Sequence, residues 1–128
     1  MNNINILIIE DEKGISKIIK SYLEKENYNV FQAFDGKEGL DIFEKENIDL
    51  ILLDLMIPKI SGEDLIKEIR NKSNVPVIMV TAKVSEDDIV NGLKLGADDY
   101  VTKPFSPKEL MQRIKTVLRR IEKYNIPR

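Results

Sequence analysis

Short, nearly unbroken aliphatic runs alternate with stretches of helical periodicity along the whole chain. That alternation constrains the fold more than any other feature. The runs are Ile4–Ile9, Val30–Phe34, Leu50–Leu53, Val77–Val80 and the brief Tyr100–Val101. They are strand-sized, and the first four lack the polar alternation of a strand wet on one side, so both faces are expected to be buried. Between them, Ile15, Ile18, Ile19, Tyr22 and Leu23 fall on one helical face. Leu40 and Phe43 mark a second helix after the turn signal Asp35-Gly36. Leu65, Ile66 and Ile69 mark a third, opened by Ser61 with Asp64 three residues on, and Ile89, Val90 and Leu93 a fourth, opened by Ser85 with Asp88 three residues on. The fifth begins at Ser106-Pro107-Lys108-Glu109, a capping box with proline at the first helical position, and runs through Leu110, Ile114, Val117, Leu118 and Ile121. Gly96 stands where a helix-ending glycine belongs.

Strands that alternate with helices imply an α/β domain: a parallel sheet, doubly wound, with helices on both faces. Strand order does not follow from periodicity. The length of 128 residues suits one domain. We expect it to occupy residues 1–122, with 123–128 the start of a linker or a C-terminal tail.

Composition then removes whole classes of chemistry. The chain has no cysteine, histidine or tryptophan. It therefore supplies no disulfide, no thiolate or imidazole metal ligand, and no Ser–His or Cys–His couple. Any metal must be held by oxygen, which favours a hard cation. With 22 acids against 20 bases, for a net charge of −2, the chain lacks the basic footprint of a nucleic-acid binder. The apolar runs are too short to span a bilayer, and Met1-Asn2-Asn3-Ile4 lacks the basic start of a signal peptide. A cytoplasmic location without membrane contact is the expectation.

Ligands of open α/β sheets bind at the carboxyl ends of the strands. Glu10 and Asp11 follow the first run, Asp54 the third, Thr81 and Ala82 the fourth, and Thr102, Lys103 and Pro104 the fifth. Asp11 alone reads as a helix cap, Lys103 alone as a surface lysine, and Thr81 alone as a strand-end hydroxyl. Together they place three carboxylates, a hydroxyl and an ammonium at one edge. The carboxylates would repel one another unless a cation joined them. With only oxygen donors available, Mg2+ fits, or Mn2+. An aspartate beside such a cation is poised to receive a phosphoryl group, whose oxygens a lysine and a hydroxyl can contact. No glycine-rich phosphate loop follows the first run, which disfavours a nucleotide or flavin.

These residues resemble the receiver domain of two-component response regulators, over residues 4–121. The motifs are Ile8-Ile9-Glu10-Asp11-Glu12, Leu53-Asp54-Leu55-Met56-Ile57-Pro58 with Gly62, Val80-Thr81-Ala82, and Gly96-Ala97-Asp98-Asp99-Tyr100-Val101-Thr102-Lys103-Pro104-Phe105. The resemblance implies a flavodoxin-like strand order 2-1-3-4-5, for which single-domain receivers are themselves a standard example. It implies Asp54 as phospho-acceptor from a sensor histidine kinase. Asp11, Asp54 and the Met56 carbonyl would be metal ligands, with Glu10 acting through water. Lys103 would contact the phosphoryl group and precede a cis bond to Pro104, and Thr81 and Tyr100 would be the switch pair. Self-catalysed transfer and slow autodephosphorylation go with it. Met56 and Lys83 occupy positions resembling those that tune hydrolysis.

Arg119-Arg120 and the fifth-strand segment are similar to the OmpR/PhoB type, whose receivers dimerise through the fourth helix, fifth strand and fifth helix. Asp98, Asp99, Glu109 and Arg113 match its charged interface positions, and Ile89 stands where that pattern carries a base. On this reading the chain belongs to a transcription regulator, and DNA is reached only through a C-terminal domain outside these residues. The alternative is a stand-alone receiver, a phosphorelay carrier or protein-binding switch. An aspartate-nucleophile phosphatase would resemble a pattern with an acid at the position of Met56.

Overall fold

The computed structural model describes residues 4–125. Five strands and five helices alternate: β1 (Asn5–Ile9), α1 (Lys13–Lys25), β2 (Asn29–Ala33), α2 (Gly36–Lys45), β3 (Leu50–Leu53), α3 (Gly62–Arg70), β4 (Val77–Thr81), α4 (Glu86–Leu95), β5 (Asp99–Thr102) and α5 (Pro107–Asn125). All strand pairs are parallel, and the order is β2-β1-β3-β4-β5.

The aliphatic runs are continuous because each feeds two cores. Ile6, Ile8, Leu50, Leu52, Ile78 and Val80 face α1 and α5, where Ile19, Leu23, Leu110, Ile114 and Val117 cover them. Their neighbours Leu7, Ile9, Ile51, Leu53, Val77 and Met79 face the other way, onto Leu65, Ile66 and Ile69 of α3, with Leu40 and Phe43 of α2 at the edge. Successive strand residues point to opposite faces, so a strand covered on both sides reads as apolar at nearly every position.

Local chemistry sets the helix starts. Ser61 Oγ accepts from Asp64 N–H at 3.1 Å, Ser85 Oγ from Asp88 N–H at 3.1 Å and Ser106 Oγ from Glu109 N–H at 3.3 Å, the caps the sequence predicts. Asp35 does more than mark a turn. Its carboxylate caps α2 by accepting from Glu38 N–H at 2.7 Å, and Glu38 accepts in return from Phe34 N–H at 2.7 Å. That bond takes the Phe34 N–H, and β2 closes at Ala33 rather than Phe34. Gly96 ends α4 with φ of 117°, in the left-handed region where a Cβ is costly. Helix α5 extends through Asn125, and the tail expected from 123 onward lies partly outside the described residues. Among the described residues, no helix is long and apolar enough to cross a membrane.

Candidate functional site

The parallel topology brings the ends of β1, β3, β4 and β5 to one edge, and the predicted acids meet there. Glu10 immediately follows β1 and is only 2% exposed, while Asp54 follows β3 and is 4% exposed. Asp11 lies exposed at the rim. One carboxylate oxygen from each of the three lies within 4.8 Å of the other two.

Lys103, just beyond β5, is the counter-charge. Its ammonium stands 2.6 Å from Glu10 Oε1 and donates to Asp54 Oδ2 at 3.0 Å, with Glu12 further off at 3.9 Å. It is no surface lysine, since its side chain is mostly buried. Its peptide bond to Pro104 is cis, as the family resemblance implies. The remaining carboxylate oxygens are also used: Asp54 Oδ1 accepts from Met56 N–H at 3.1 Å, and Glu10 Oε2 from Glu12 N–H at 3.1 Å. Asp54 is therefore not the unpaired carboxylate that burial alone would make costly.

The electrostatics follow from that packing. Burial pushes the Glu10 carboxyl up to about 7, against the downward pull of its bonds from Lys103 and the Glu12 N–H. Burial also opposes the charge on Lys103, but the bonds to Glu10 and Asp54 outweigh it and hold the ammonium above the ordinary lysine value. The arrangement suits a small hard cation. The donors are all oxygens, two of them buried and one open to solvent, and the cluster carries three carboxylates against one lysine.

Thr81, the last residue of β4, is fully buried, and its carbonyl accepts from Lys103 N–H at 2.9 Å. Tyr100 lies further out. Its hydroxyl donates to the Lys83 carbonyl at 2.7 Å, and burial pushes its pKa up to about 12, helped by the charges of Asp88, Glu63 and Asp54. The residues expected at a dimer interface form a separate group. Asp99 receives two bonds from Arg113, at 3.0 and 3.2 Å, and Glu109 lies 3.6 Å from Arg113 Nε. Ile89 is half-exposed on α4. Asp98 is engaged within the chain, accepting from Val77 N–H at 2.9 Å and pairing with Arg70 at 3.2 Å.

Two residues of this region escape a sequence reading. A Cβ on Gly92 would stand 2.8 Å from the Tyr100 ring and 2.8 Å from Met79 Sδ, so this glycine makes room for the ring. Arg70 binds the carbonyls of Val75 and Gly96 at 2.6 and 2.8 Å. Glycine at mid-helix and arginine at a helix end carry no motif; only the register of α3 and α4 on the sheet reveals their partners.

A doubly wound parallel sheet with a buried aspartate, two further acids and a lysine at its carboxyl edge defines a receiver-type α/β domain. Residues 6–115 match the response regulator receiver domain family. The chain is 47% identical to the regulatory protein VanR of Enterococcus faecium, over 94% of this chain and 52% of VanR. It is 46% identical to the uncharacterized transcriptional regulatory protein YcbL of Bacillus subtilis, over 93% of this chain and 53% of YcbL. Among solved structures, the CheY-like receiver domain protein of Methanospirillum hungatei superposes with a TM-score of 0.91 at 34% identity, over 97% of this chain and all of that one. The chain belongs to the response regulator receiver domain family of two-component signalling, and it spans about half the length of the regulators it matches.

Proposed function

We propose that this domain receives a phosphoryl group on Asp54 from a sensor histidine kinase and thereby switches its α4–β5–α5 face. One observation carries the reading: a nearly buried aspartate held 3.0 Å from a lysine ammonium, with two more carboxylates within 4.8 Å. A carboxylate oxygen of Asp54 forms the new O–P bond as the P–N bond to the donor's imidazole breaks. The imidazole nitrogen keeps the bonding pair and takes up a proton. Lys103 leaves its bond to Asp54 and follows the transferred oxygens. The Thr81 hydroxyl turns to them as donor. Attack of water on phosphorus later restores the carboxylate and releases phosphate.

Asp11, Asp54 and the Met56 carbonyl would hold Mg2+ (or Mn2+), with Glu10 acting through water. When bound, the metal neutralises charge on the phosphoryl oxygens. Phosphorylation adds about −1.5 to −2 charge at the end of β3. Movement of Thr81 and Lys103 toward that charge lets Tyr100 follow, which biases a two-state face. We read the subfamily as OmpR/PhoB and the output as transcriptional control through homodimerisation, supported by relatives named as transcriptional regulators. DNA would then be reached through a domain beyond these residues, in the cytoplasm.

The test is incubation with acetyl phosphate and Mg2+, read by intact mass and hydroxylamine sensitivity. The expected result is one phosphoryl adduct that Asp54→Asn abolishes. No adduct, or an undiminished one in Asp54→Asn, overturns the reading.

A further inference from the structure

The segment joining β4 to α4 is held by a contact that lies outside the acidic cluster, between Lys83 and Glu63 of α3. Residues 82 and 84–87 are exposed, and Lys83 alone among them turns inward. Its ammonium donates to Glu63 Oε2 at 2.8 Å, and both side chains are partly shielded from water, at 34% and 25% exposure. The bond to Glu63 holds the ammonium above the ordinary lysine value.

Each end of this pair is anchored to a different part of the site. Glu63 is the second residue of α3, and α3 starts hard against the acceptor backbone. Gly62 N–H donates to the Leu55 carbonyl at 3.1 Å, and a Cβ on Gly62 would stand 2.5 Å from Leu55 Cα and 2.8 Å from the Asp54 carbonyl. At the other end, the Lys83 carbonyl accepts the Tyr100 hydroxyl at 2.7 Å, and the Lys83 N–H reaches Thr81 Oγ1 at 3.4 Å. Lys83 therefore touches α3 with its side chain, β4 with its N–H and β5 with its carbonyl.

We propose that Glu63 is a positioning residue of the switch. By holding Lys83, it holds the carbonyl that receives the Tyr100 hydroxyl, and so keeps the tyrosine ring turned against α4 before any phosphoryl group arrives. The inference rests on the reading of Tyr100 as the switch residue. The physical basis is restraint. An otherwise exposed loop offers its carbonyl in one place only while something fixes it, and a half-buried ion pair anchored to α3 does so. Loss of the pair leaves the Tyr100 hydroxyl to choose between a wandering carbonyl and water.

The experiment uses the whole chain labelled with 3-fluorotyrosine, without any phosphoryl donor, and follows Tyr100 by fluorine NMR; the signal is assigned by its loss in Tyr100→Phe. In Glu63→Gln the Tyr100 signal should move toward that of a solvent-exposed tyrosine, by a population change of about two- to five-fold, the size expected of one partly exposed ion pair. The reversed pair, Glu63→Lys with Lys83→Glu, should return it. An unmoved signal in Glu63→Gln overturns the proposal, and so does a reversed pair that leaves the signal displaced. Absence of an acyl-phosphate adduct in the unaltered protein would instead overturn the phosphorylation reading. The NMR result is independent of it because no donor is present.

Discussion

Lys103 serves two buried carboxylates at once, and its removal separates structure from signalling. Without it, Glu10 and Asp54 share a buried edge with no counter-charge. Breaking such a pair from one side costs on the order of 3 kcal/mol. In Lys103→Ala we expect a loss of about that size in urea denaturation without metal, and partial recovery in Mg2+, because the cation then takes over the neutralising role. Magnesium binding should survive, while phosphoryl donor should no longer drive dimerisation. A Lys103→Ala domain as stable as the unaltered one in metal-free buffer would show that the two bonds contribute nothing net. This role is half legible in the chain. Lysine after the fifth run marks a ligand-facing cation, but nothing in its neighbours says that it binds Glu10 more closely than Asp54. That depends on β1 and β5 ending at the same edge with β3 and β4 between them.

Among the elements, α4 is the one held least by the core. Of its residues only Gly92 is buried, and Val90 and Leu93 are 44% and 45% exposed. At its C-terminal end Leu95 packs against the core, and polar contacts add to that hold. Arg70, ending α3, binds the Gly96 carbonyl with two nitrogens, at 3.1 and 2.8 Å, as well as the Val75 carbonyl and Asp98. This clasp joins α3 to the turn between α4 and β5. Asp98 is thereby occupied inside the chain, although its sequence position matches a family interface residue. Arg70→Leu should cost about 2–4 kcal/mol, since hydrogen bonds to a charged group are each worth roughly 1.5–3 kcal/mol and partly buried carbonyls are left without a donor. Urea unfolding should show a lower midpoint with an unchanged slope. A midpoint shift below that range would mean that water replaces the guanidinium at little cost. Helix starts were readable because a serine cap and the amide it binds lie three residues apart. Asp35-Gly36 signals only a turn in the sequence because aspartate before glycine serves both purposes, and the reciprocal Glu38–Phe34 bond tells them apart.

At the scale of the whole molecule, the α4–β5–α5 face is the surface through which the proposed phosphorylation would act. Asp99, Arg113 and Glu109 already form a chain of contacts within one copy, and Ile89 puts an aliphatic side chain where the subfamily carries a base. Among the described residues, Glu109 therefore pairs with Arg113 and with no base of α4. If the face pairs two copies, Ile89→Lys should give Glu109 a partner across the interface. Phosphorylation-dependent association measured by ultracentrifugation should then tighten by about two- to five-fold, in keeping with one exposed ion pair. Unchanged association would argue that this face is not the dimer contact.

By itself the sequence determined the number and order of strands and helices, the parallel sheet, the oxygen-only chemistry and the identity of Glu10, Asp11, Asp54, Thr81 and Lys103 as edge residues. Each rests on local signals: periodicity, caps and residue type at strand ends. Periodicity left the strand order open, and the family resemblance supplied the order 2-1-3-4-5 that the structure has; only the tertiary structure decided the pairing of Lys103 with Glu10, the commitment of Asp98 to Arg70, the space that Gly92 leaves for Tyr100 and the hold of Glu63 on Lys83. Their partners lie from eight to more than ninety positions apart along the chain. Such contacts depend on which strands become neighbours and on how each helix is rotated upon the sheet, quantities that no local pattern encodes.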